Sequence, residues 1–138
     1  EQVLLQEIGH AIEHILLDGS KVPPDRARSE GFASWFEQYS AEYARDIPDG
    51  EVVAYYNGLA KEGMNREAGA VPFDGSAQAY AVSALRFRAI VDRKGVSGLM
   101  RVYQVMAEKG ISFDSAIKEV FHWNEGAMQR EMVRVLGN

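Results

Sequence analysis

The stretch from Leu4 to His14 reads LLQEIGHAIEH, and its polar residues recur at a spacing that can do metal chemistry. Two imidazoles at i and i+4 stand one turn apart on a helix face, where ring nitrogens can reach a common cation. His10 and His14 have that spacing, with Glu13 between them. Glu7 and Glu13 are the two carboxylates of this stretch. Gln6, one turn before His10, brings only a neutral amide oxygen, a weaker donor than an imidazole nitrogen.

At 100° per residue, Gln6, His10 and His14 fall at roughly 0°, 40° and 80°, with Glu7 near 100° and Glu13 near −20°. These five polar residues share one stripe, while Leu4, Leu5, Ile8, Ala11, Ile12, Ile15 and Leu16 cover the rest. A helix apolar around most of its circumference is expected to be buried. Burying imidazoles and carboxylates costs several kcal/mol unless they are paired or hold a cation. The plainer reading is a polar face hydrogen-bonded to neighbouring helices.

Helical signals position these residues and run through nearly the whole chain. The first helix spans about Val3 to Leu17 and stops at Asp18-Gly19. Asp25 caps a second, reaching about Asp46, with Phe32, Trp35, Phe36, Tyr39 and Tyr43 at helical spacing. Pro48-Asp49-Gly50 reads as a turn, Glu51 to about Lys61 as a short helix, and Met64 to Gly75 as a loop. Ser76 opens a helix that Gly95 closes near Lys94. Leu99 to Lys109, about Asp114 to Phe121, and Glu125 to Leu136 complete the set. No alternating strand pattern is found, so the expected fold class is all-α, with about six to seven helices in a single domain, 1–138.

Composition narrows the function. The 138 residues suffice for one core, and 46% are hydrophobic. A net charge of −5 argues against a nucleic-acid surface, and no apolar run approaches the roughly 20 residues of a membrane span. There is no cysteine, so any metal must be held by His, carboxylate or amide oxygen. The chain starts at Glu1 with helical periodicity already under way, and is read as a piece of a longer protein.

Residues 29 to 37 read SEGFASWFE. With the first stretch, this resembles the gluzincin zinc metallopeptidases, MA-clan peptidase-like and aminopeptidase-type domains. Their helix H-E-x-x-H is followed, eighteen or more residues on, by E-G-[FL]-A-x-[WY]. Here 19 residues separate His10 from Glu30. An aromatic helix in a core would account for Phe32, Trp35 and Phe36, though not for Glu30-Gly31 at its start. A looser match is Tyr80-Ala81-Val82-Ser83-Ala84, like the family's Y-x-x-[SG]-A; Tyr80, Ala84, Phe87 and Val91 also make an ordinary core stripe.

The resemblance implies the helical part of a zincin-like domain, without the β-sheet lobe that precedes the motif helix in the family. It implies zinc as cofactor and a peptide or protein as substrate. His10 and Glu30 would be ligands, Glu7 the base and Tyr80 the oxyanion donor. Gly31 would let the first helix approach closely. The departure is Gln6, which stands at the first ligand position. A weak site using Gln6, a slide to His10, His14 and Glu30 with Glu13 as base, or loss of turnover are the three outcomes open. The expectation is a metallopeptidase-like domain of impaired activity, and the alternative an inactive helical binding domain. Glu37 is expected to be solvated, with a supporting contact to a ligand as the sharper reading. His122 is expected to pack or face solvent.

Overall fold

The computed structural model describes residues 2–44, 50–65 and 73–137, and within them all regular structure is helical. Six helices follow in order: α1 (Gln2–Leu16), α2 (Arg26–Ala44), α3 (Gly50–Asn65), α4 (Ala77–Lys109), α5 (Phe113–Phe121) and α6 (Glu125–Gly137). The all-α expectation holds. Gly50, Met64 and Asn65, expected in turn or loop, are helical; Pro48-Asp49 and residues 66–72 lie outside the described residues.

Side chains set the helix ends. The Asp25 carboxylate accepts from the Arg28 amide at 3.1 Å and starts α2. Ser76, Ser112 and Asn124 accept from the amides of Ala79, Ser115 and Ala127 and open α4, α5 and α6. Gly110 closes α4 in the left-handed region, its amide bonded to Met106. The break expected after Lys94 is present, since Gly95 has φ 74° and ψ 173°. The chain resumes as helix directly, so α4 is two helices that meet at a kink at that glycine.

The core forms around α4, on which α2, α3, α5 and α6 all pack. Phe87, fully buried, stacks on Phe113 at 4.8 Å between ring centroids and meets Phe32 edge-on at 5.8 Å. Phe32 also meets Tyr103 at 5.3 Å. A Cβ on Gly31 would stand 2.9 Å from the Ser83 carbonyl oxygen and 2.9 Å from the Phe87 ring. Gly31 therefore serves the α2–α4 contact, not the approach of α1. That approach depends on Gly9, where a Cβ would stand 2.9 Å from the Ala33 Cα.

The expectation of a buried first helix is corrected. Leu4, Ile8 and Ile15 are 61%, 40% and 72% exposed. α1 lies at the edge, packed on α2 and touching α4, so only part of its circumference is covered.

Candidate metal centre

The close crossing at Gly9 and Ala33 sets His10 against the first turn of α2. His10 Nε2 lies 3.2 Å from Glu30 Oε2, and His10 Nδ1 lies 3.2 Å from Ser29 Oγ. The serine engages one ring nitrogen and so directs the other at the carboxylate. Both side chains keep a quarter or so of their surface, 29% and 21%, open to solvent, so a cation can reach them. Two donors about 2.1 Å from one tetrahedral ion stand about 3.4 Å apart. The observed separation suits two zinc ligands as well as a direct ion pair.

Gln6 is held one turn away. Its Nε2 donates to Glu37 Oε2 at 2.9 Å. A carboxylate only accepts, which fixes the amide nitrogen on that side and turns Oε1 away from it. Glu37 is 4% exposed, correcting the expectation that it is solvated. It also receives a hydrogen bond from Tyr56 of α3. Burial first, then the Glu37 charge and hydrogen bond, push the Tyr56 phenol up to about 12. A carboxylate that orients a side chain reaching toward a metal is the usual support for a ligand.

The other sequence candidates lie elsewhere. Glu7 is exposed and, among the described residues, has no hydrogen-bond or ion-pair partner. His14 is exposed and borders a cleft of about 410 Å³ that His10, Ser29 and Arg28 also line. Glu13 lines that cleft too, but its carboxylate is taken up by other partners. It is 5% exposed, and its Oε2 accepts from Arg28 Nε at 3.3 Å and from the Tyr103 hydroxyl. Arg28 also donates to the Pro23 carbonyl at 3.1 Å. Burial, then the neighbouring Glu13, holds the Tyr103 phenol well above its ordinary value. Glu13 is thus committed to a buried ion pair and is not placed as a base for His10 and His14. Tyr80 is half-buried and edge-on to Phe73, 5.2 Å between centroids, with no hydrogen bond to His10 or Glu30. His122 is exposed and takes the left-handed cap position of α5.

Among the described residues, no three His, Asp or Glu side chains converge on one point as a metal-binding group. Of the ligand candidates, His10 and Glu30 meet, while Gln6 is bonded to Glu37. Sequence reasoning missed Ser29, Tyr56 and the Glu13–Arg28–Tyr103 cluster. Ser29 is one residue before Glu30 and was legible in principle; the tyrosines come from helices whose register the sequence does not relate to α1. Another cleft, of about 660 Å³, is lined by residues of α2 to α6 and of the loop before α4, among them Met64, Phe73, Val82, Trp123, Met128 and Met132. None of Gln6, Glu7, His10, Glu30 or Tyr80 lines it. Comparison with family models, curated proteins and solved structures yields no match for this chain.

Proposed function

We propose that α1 and α2 carry a zinc-peptidase-type centre of the gluzincin kind, weakened at one ligand and impaired in turnover. The observation that supports this reading is the meeting of His10 Nε2 and Glu30 Oε2 at 3.2 Å, joined by the Gln6–Glu37 hydrogen bond one turn along. His10 and Glu30 would hold the ion, with Gln6 Oε1 as a neutral third donor. Zinc there would supply a Lewis acid and a bound water of lowered pKa. Glu7, exposed next to this face, is free to hold a proton during attack on a peptide carbonyl. Tyr80 would have to turn from Phe73 to serve as an oxyanion donor.

The test is zinc stoichiometry after dialysis, for the protein and for Gln6→His, beside hydrolysis of a mixed peptide library. The expected result is sub-stoichiometric zinc in the parent and one equivalent in the variant. No gain in zinc would overturn the assignment of residue 6 as a ligand position. A second reading, a helical binding domain without turnover, is favoured by the 660 Å³ cleft with its three methionines, side chains that adapt to varied apolar partners. Zinc regained by Gln6→His without hydrolysis is the outcome that selects it.

A further inference from the structure

Three of the most exposed large hydrophobics lie on α1, and they fall on one line. Leu4, Ile8, Ala11 and Ile15 recur at steps of four, three and four residues, within an arc of about 60°. All four are exposed. This seam extends about 17 Å on the side of α1 away from α2. Glu7 and His14, also exposed, both lie on the same flank of it.

We propose that this seam is the contact between two copies of the chain, packed with their α1 helices antiparallel about a two-fold axis. In that arrangement both the apolar seam and its polar flank are self-complementary. A two-fold at the midpoint of residues 9 and 10 sets Leu4 against the partner's Ile15 and Ile8 against the partner's Ala11. Large side chains thereby face a small one at the centre, as helix packing requires. Antiparallel two-fold packing also returns each flank to its own side. Glu7 then stands within about 3 Å, along the axis, of the partner's His14, and the reverse pair forms too. A parallel pair would carry the Glu7 and His14 flank of each copy to opposite sides of the seam, so neither residue would find this partner. The seam is short, so the dimer belongs to the weak class and forms in the micromolar range.

The inference stands on the α1 surface and not on the metal reading, but it bears on it. In the dimer Glu7 is engaged by the partner's His14, so the group offered as base is occupied until the copies separate.

Sedimentation velocity across a micromolar concentration series tests this. The chain should pass from monomer to dimer, while Ile8→Glu and Ile15→Glu, both at exposed positions, should stay monomeric with unchanged helical circular dichroism. His14→Glu should weaken the dimer by about tenfold or more, and Glu7→Lys with His14→Glu should restore it to within about threefold. Because the chain lacks cysteine, Leu4→Cys with Ile15→Cys should yield an oxidised cross-linked dimer on the antiparallel geometry. A monomer up to about 100 µM, well above a micromolar dissociation constant, would overturn the proposal and leave the seam to a different occupant. So would a dimer indifferent to Ile8→Glu and Ile15→Glu. Zinc content is read separately, so failure here leaves the metal reading untouched, and the reverse.

Discussion

Glu37 and its two partners carry the residue-scale argument. A carboxylate 4% exposed needs hydrogen-bond donors to offset its burial, and Gln6 and Tyr56 supply them. If Gln6→His restores a zinc ligand, the new imidazole keeps Glu37 as its orienting acceptor. Glu37→Gln in that background should therefore lower zinc affinity by about 10- to 100-fold, read by competition with a chelating dye. Loss of orientation, not of a ligand, is what that change measures. Tyr56 gives a prediction in pH. Its folded value is raised to about 12 from 10.0, so its contribution to stability is complete below pH 10 and is lost as pH rises from there toward 12. Tyr56→Phe should flatten the fall in stability over that window, measured by urea unfolding at stepped pH. An unchanged slope would place the Tyr56 hydroxyl in water. The pairing of His10 with Glu30 was expected from the motif resemblance of the two stretches. The role of Tyr56 was not, because it depends on where α3 comes to rest.

Between elements, α1 meets α2 through a glycine and is tied by a buried ion pair. Adding a methyl at Gly9 gains helix propensity of about 1 kcal/mol but meets backbone, not a yielding side chain, at Ala33. The clash prevails: Gly9→Ala should lower stability by about 1–3 kcal/mol and draw His10 off Glu30, visible as a shifted melting curve. Arg28→Met has a different signature. It leaves the Glu13 charge buried beside Tyr103 and should cost about 3–5 kcal/mol, most of it recovered by adding Glu13→Gln. Failure of that recovery would mean Arg28 stabilises through its Pro23 contact instead. Helix existence and most boundaries were legible, since Asp25, Ser76 and Gly110 cap where such residues should. The burial of α1 was not. An apolar circumference says that something covers a helix, not that α2 covers one side and leaves Leu4, Ile8 and Ile15 open. Nor could spacing tell that Glu13 turns toward Tyr103, 90 residues away in sequence.

At the scale of the whole molecule, Phe87 is the hub. It stacks on Phe113 of α5, meets Phe32 edge-on and lies 6.4 Å from Trp35, so one ring joins three helices. Phe87→Ala should cost about 3–5 kcal/mol, with loss of near-ultraviolet dichroism ahead of helical signal on mild denaturation. The all-α class was readable from the sequence because no segment alternates with period two. The placement of α4 at the centre was not, since length and patterning alone do not rank helices by the number of neighbours each one covers.

The bend at Gly95 divides what α4 holds. Ahead of it, Arg88 bonds Asn57 of α3, and Asp92 and Arg93 pair with Arg134 and Glu131 of α6. Beyond it, Tyr103 reaches Glu13 of α1 and Lys109 pairs with Glu119 of α5. A conformation open only to glycine interrupts the helix between these two sets. Amide hydrogen exchange in the native state should therefore resolve α4 into two protection zones that meet at Gly95. The second zone would open by releasing Tyr103 from Glu13, while α3 and α6 remain closed on the first.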